Sequence, residues 1–248
     1  EENFSWGNGG RKICELFEKN LFILPSKVKE LIKEYLLIDL DIRHKGNWDE
    51  LILKQFLNSR KFFFAGKEKI APVLELVNHE VKSLPYIRSE KGLSTPNYGP
   101  KDGEITHSYG YRSPIKRLFD YGFYCEESII FSYPFQLQID NYGNFLVCNG
   151  SEIIDDSMLS ISNKKQTCIH GLPIADINIP TLPKEYLKEL IKKNFLKVSY
   201  EHLFAEIKNL NIKKRNMLLK EIKNVDNYSA QLIKKTLEYE LNAINNNC

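Results

Sequence analysis

From Lys61 to Phe123 the chain alternates short apolar runs with glycine, proline and asparagine turns, and this punctuation limits its fold more than any other feature. Pro96-Asn97-Tyr98-Gly99-Pro100-Lys101-Asp102-Gly103 is a dense cluster of turn formers. Short strands between such turns predict small, twisted β-sheets rather than a parallel α/β core. A chain of 248 residues has room for one large domain or two small ones.

Helical spacing flanks this stretch. Val28, Leu31, Ile32, Tyr35 and Leu36 predict a helix over 26–40, with Ser26 as its cap. A second helix is predicted over 49–57, and a short one over 114–119 that Ser113 caps with Pro114 at the first position. The glycines of Trp6-Gly7-Asn8-Gly9-Gly10 predict a loop ahead of a short strand or turn. Residues 128–150 alternate apolar and polar around Asn141-Tyr142-Gly143-Asn144, a hairpin signal. Residues 151–180 read as irregular. Helices are expected over 183–195, 199–210, 212–224 and 228–244, with lysine and glutamate between the apolar positions.

Composition excludes several classes. The formal charge of +3 is too small to argue for nucleic acid, and the lysines are interleaved with glutamates as on solvated helix faces. No apolar run approaches the roughly eighteen residues of a membrane span, so no membrane partner is expected. Nothing at Glu1-Glu2-Asn3 has the pattern of a signal peptide. Cys14, Cys125, Cys148, Cys168 and Cys248 are widely spaced, which predicts reduced thiols, a cytoplasmic setting and no zinc site. No G-x-S-x-G, HExxH or Walker lysine occurs.

Two segments carry a pattern. The first is Pro72-Val73-Leu74-Glu75-Leu76-Val77-Asn78-His79; the second is Gly103-Glu104-Ile105-Thr106-His107-Ser108-Tyr109-Gly110, running on to Asp120-Tyr121-Gly122-Phe123. Asn58-Ser59-Arg60-Lys61-Phe62 precedes them. In this order they resemble a SET domain of the Rubisco large-subunit methyltransferase-like class, whose elements read S-R-x-F, P-x-x-D-x-x-N-H, G-E-x-x-x-x-Y-G and D-Y-G-F. Glu75 stands where the family has Asp.

The resemblance implies an α+β fold: a SET domain of small twisted sheets with knot-like threading over 1–125, interrupted by a short helical insert at about 26–57. A mainly helical, substrate-binding-like domain follows over 126–248. It implies S-adenosylmethionine as cofactor, no metal, and a protein substrate with a target lysine. Tyr109 would be the catalytic residue, its hydroxyl aimed at the methyl and the target nitrogen. Asn78, His79, Arg60, Gly9 and Gly10 would hold the cofactor. Tyr121, Glu75 and Tyr86 would contact substrate. Asn78-His79 and Tyr109 should then lie side by side in a pocket lined by Tyr121. Methyl transfer needs alignment, a desolvated path and a neutral amine, which aromatic walls favour. Two alternatives stay open: a SET-fold binding protein that has lost catalysis, and a SET enzyme acting on histidine or a small amine.

Overall fold

The computed structural model describes residues 8–45, 47–64, 67–70, 77–80, 82–89, 92–94, 106–108, 110, 112–139, 142–148, 159–161, 166–194 and 196–246. They form a mixed α+β structure with several small sheets.

The chain opens with helix α1 (Asn8–Phe22). Gly9 and Gly10 therefore lie in a helical first turn, not in the loop that glycines there suggest. The run behind them holds no breaker, and Phe17 and Leu21 bury the face that packs on the C-terminal helix. Glycine costs little in a first turn whose N–H groups have no intrahelical partner. Helix α2 (Ser26–Leu36) buries Val28, Leu31, Ile32, Tyr35 and Leu36, the periodic set. Pro25, not Ser26, occupies its N-cap. The helix also stops short of residue 40, because Leu37 adopts the left-handed φ of 58°. Asp39 then caps the single turn α3 (Leu40–Arg43), its Oδ1 accepting from the N–H of Asp41 at 3.1 Å and of Ile42 at 3.0 Å.

Helix α4 (Trp48–Arg60) leads into the antiparallel pair β1 (Lys61–Phe64) and β2 (Lys67–Ile70). Strand β3 (Asn78–His79) pairs in parallel with β6 (Thr106–His107), Asn78 against Thr106 and His79 against His107. Between them β4 (Ile87–Ser89) and β5 (Gly92–Ser94) form a small antiparallel ribbon. Helix α5 (Pro114–Tyr121) follows, with Ser113 at its N-cap and Pro114 at its first position. The Ser113 side chain makes no cap bond; the N–H of Ile115 donates instead to Glu240 Oε1 at 2.9 Å. Gly122, at φ 77°, closes the helix in a left-handed turn that a side chain would strain.

Strands β8 (Phe135–Ile139) and β9 (Gly143–Cys148) make the expected hairpin, with Phe135 opposite Val147. Residues 151–180, read from sequence as irregular, contribute β10 (Leu159–Ile161), β11 (Gln166–His170) and β12 (Pro173–Asp176). The reason is long-range pairing: β11 lies parallel to β9, and β12 lies antiparallel to β7 (Ile129–Phe131). Helices α6 (Leu182–Lys193), α7 (Tyr200–Ile222) and α8 (Tyr228–Asn246) complete the fold. Helix α7 is continuous through Asn211, where the sequence suggests a break, because Asn211 is buried and its side chain is bonded.

Two apolar clusters result. One joins Phe17, Leu21 and Ile32 to Ile115 and Leu118 of α5 and to Leu218, Ile233 and Leu237 of α7 and α8. The other joins Phe145, Val147, Ile169 and Ile174 of the strands to Leu203, Ile207 and Ile244. The first cluster draws on both sides of residue 125. A buried polar network sits where α5, α7, α8 and β7 meet. Arg215 Nε donates to Glu240 Oε2 at 2.8 Å, and its other nitrogens donate to Asn211 Oδ1 and to the Phe131 carbonyl. Arg215 and Glu240 are both fully buried, so each charge depends on the other.

Glu240→Ala should therefore destabilise the fold by about 3–5 kcal/mol in urea denaturation, because it strands Arg215 and uncaps α5. Breaking the exposed Lys27–Glu30 pair should leave the midpoint unchanged. Equal effects from the two would show that the buried network is not a keystone.

Candidate functional site

The pairing of β3 with β6 sets the geometry. The N–H of Glu80 donates to the His107 carbonyl at 3.1 Å, and the N–H of Ser108 donates to the Leu84 carbonyl at 3.1 Å. The hydroxyls of Ser83 and Thr106 share a 2.5 Å hydrogen bond. These ties bring the segment ending in Asn78-His79 against the segment that leads to Tyr109. Tyr109 and Glu75 lie outside the described residues, as does the Gly103-Glu104 pair. Asn78 is placed on β3 and Arg60 at the end of α4.

His79 Nε2 lies 3.1 Å from Glu127 Oε1, and the same oxygen accepts from Arg117 Nε at 2.6 Å. Arg117 is fully buried on α5, and its NH2 group donates to the Gly110 carbonyl at 2.8 Å. One ion pair thus touches both motif segments. Phe123 stands between them, its ring centroid 6.3 Å from His79 and 6.0 Å from Tyr121. The guanidinium carbons of Arg112 and Arg117 each lie 5.4 Å from the Tyr121 ring centre. Aromatic faces attract cations in this way, and Asp120 and Glu127 balance the two arginines through ion pairs.

Of the remaining site residues expected from sequence, Tyr86 joins this region and the two glycines take another position. Tyr86 stacks on His107, with centroids 3.7 Å apart and planes 29° apart. Gly9 and Gly10 begin α1, which packs against α8, α4 and α3.

Tyr121 also lines a cleft of about 660 Å3 between α5 and helices α3 and α4. Arg112, Phe119 and Asp120 share its wall with Arg43, His44 and Trp48. Buried Glu18 ties that wall together. Its carboxylate accepts from Arg43 and faces His44 Nε2 at 3.0 Å, while Arg43 also donates to the Phe119 carbonyl at 3.1 Å. The volume is in the range of small-ligand sites.

His79, Cys125 and Glu127 place ligand-type atoms within 4.8 Å of one another. The cation of this cluster is already the Arg117 guanidinium, bonded to Glu127. Burial, helped by the Glu127 charge, pushes the Cys125 thiol up to about 11, so it is protonated at neutral pH. A protonated thiol is a poor nucleophile. The Cys125 thiol is thus not an activated nucleophile, and what the cluster offers is hydrogen-bond direction beside aromatic faces.

Arg117 and Glu127 escaped sequence reasoning. Arg117 had a weak signal, since it sits four residues before Tyr121 on a short helix with Ile115, Leu118 and Phe119 buried. Glu127 had none, because its partner His79 is 48 residues away in the chain. No family model matches the chain, and neither a curated protein nor a solved structure matches it. Among the described residues, no helix is long and apolar enough to cross a membrane.

Burial lowers the His107 imidazole to about 4; the Ser108 carbonyl opposes this, while the charges of His79 and Arg117 add to it. The folded value lies below the unfolded one near 6.5, so the unfolded chain binds more protons between them. His107 should therefore cost stability progressively as pH falls from about 6.5 to about 4. His107→Phe keeps a ring against Tyr86 and cannot titrate. The melting-temperature gap between variant and parent should move in favour of the variant across that window. A gap independent of pH would show that His107 does not titrate there.

Proposed function

We propose that this chain is an S-adenosylmethionine-dependent methyltransferase of SET type acting on a lysine of a protein substrate. The observation that carries the reading is the parallel pairing of β3 with β6, which sets Asn78-His79 beside the strand leading to Tyr109. Tyr121 supports it, since its ring joins this region to the cleft between α5 and helices α3 and α4.

When bound, S-adenosylmethionine supplies a methyl group on a positively charged sulfur. Among the described residues Tyr121 offers such a group an aromatic wall in the cleft, beside the two arginines that already lie over its ring. In this reading Asn78 and His79 on β3 hold the cofactor, and Arg60 reaches its carboxylate end. Tyr109 aligns the methyl and the amine with its hydroxyl. Tyr121, with Tyr86 and Glu75, walls the path of the target lysine. Aromatic walls disfavour water and help the amine shed its proton. Held by these residues, S-adenosylmethionine would supply its methyl to the neutral lysine nitrogen and leave as the thioether, so the chain's own residues need form no covalent intermediate.

One observation favours a second reading, a SET-fold binding protein without catalysis. Gly9 and Gly10 are helical, so they offer no open loop to a cofactor. Thermal shift separates the two. S-adenosylmethionine at a hundredfold excess over its dissociation constant should stabilise the folded chain by about 2.7 kcal/mol. Asn78→Ala should remove most of that shift. No shift at millimolar cofactor would leave the binding-protein reading standing.

Tyr109→Phe then isolates one hydroxyl while keeping the ring. Cofactor affinity by calorimetry should survive, and methyl transfer to lysate protein from radiolabelled cofactor should fall about a hundredfold or more. Parental transfer rates in the variant would remove Tyr109 from the catalytic role. A joint fall in affinity and rate would make it a pocket-shaping residue instead.

A further inference from the structure

We infer that Arg117 and Glu127 are positioning residues that hold the two halves of the candidate site in register. Strands β3 and β6 are only two residues long each. A ladder that short specifies its own register weakly. Besides the flanking backbone bonds and the Ser83–Thr106 hydroxyl bond, the ladder is tied by side chains on α5 and the segment after it. Glu127 Oε1 accepts from His79 on β3 and from Arg117 on α5. Arg117 carries the tie across to the Gly110 carbonyl, the residue next to Tyr109.

Both members are anchored to α8. The Glu127 carbonyl accepts from the Tyr239 hydroxyl at 2.9 Å, and the first turn of α5 is held by Glu240. Arg117 is fully buried and Glu127 nearly so, so their pairing is neither screened nor optional. One carboxylate oxygen serving two donors needs its full charge; an amide oxygen in the same place accepts more weakly. A lysine at 117 reaches one acceptor where the guanidinium fork reaches two.

The test is residue-resolved amide exchange on Glu127→Gln and Arg117→Lys, with cofactor affinity and methyl transfer measured alongside. In Glu127→Gln, exchange at Glu80, Ser108 and Gly110 should be at least about tenfold faster while α8 keeps its protection. In Arg117→Lys the acceleration should centre on Ser108 and Gly110. Unchanged exchange at these amides, or equal acceleration in α8, would overturn the inference. The activity arm rests on the methyltransferase reading. Arg117→Lys should lower transfer while keeping cofactor affinity, and Glu127→Gln should weaken cofactor binding as well, because His79 on β3 is one of the residues assigned to the cofactor. A parent chain that neither binds S-adenosylmethionine nor transfers methyl would end the functional reading, and the exchange pattern alone would then decide the positioning role.

Discussion

The fully buried Arg215–Glu240 pair is the interaction on which most of this structure depends. Two charges leave water together, and each is tolerable only because the other is present. Each also reaches further: Glu240 caps α5 at Ile115, and Arg215 holds the Phe131 carbonyl of β7 and Asn211 Oδ1. Asn211 adds Tyr133 and Ser132 to the same knot of bonds. Helices α7 and α8 thereby fix where the N-terminal half begins its last helix and where the strand region starts. Apolar contact alone would let these elements slide; directional bonds in a low-dielectric setting do not.

Helix α5 transmits this placement to the site. Its N-terminus is held by Glu240, its middle carries Arg117 to Gly110 and Glu127, and its end presents Tyr121 to the cleft. A helix of two turns is too short to be stable by itself. It acts as a rigid spacer because it is capped by a distant carboxylate at one end and by Gly122 at the other. The site is built from very short strands and loops on this frame. That division is common where a ligand must be admitted, because loops shape a surface that a fixed scaffold then aims.

Helices α1 and α3 take part in a similar way. Glu18 of α1 gathers Arg43 and His44 of the α3 region, and Arg43 reaches back to the carbonyl of Phe119 on α5. The cleft therefore has walls tied to the same helix that supports the motif segments. Arg112 and Asp120 pair at its rim, beside the Tyr121 ring. Asp120 also pairs with Lys116, so one carboxylate there answers two cations and this end of the cleft leans positive.

Local signals read well where they depended on near neighbours. The apolar period from Val28 to Leu36, the β8–β9 hairpin and the α8 stripe were all visible, because i+3, i+4 and i+2 relations are properties of the chain itself. The order of Asn78-His79 and Tyr109-Gly110 was visible too, and with it the expectation that they meet. The sequence could not show that Gly9 and Gly10 would wind into α1, since only packing of Phe17 and Leu21 against α8 makes that helix worthwhile. It could not show β11 and β12, whose partners β9 and β7 stabilise them across the chain. Nor could it show that Ser113 would cede its cap to Glu240, or that Glu127 would join His79 to Arg117. Periodicity and turn chemistry are short-range and leave a trace in the residues. The pairing of a buried charge is decided by which distant carboxylate or carbonyl arrives beside it, and only the tertiary structure brings them together.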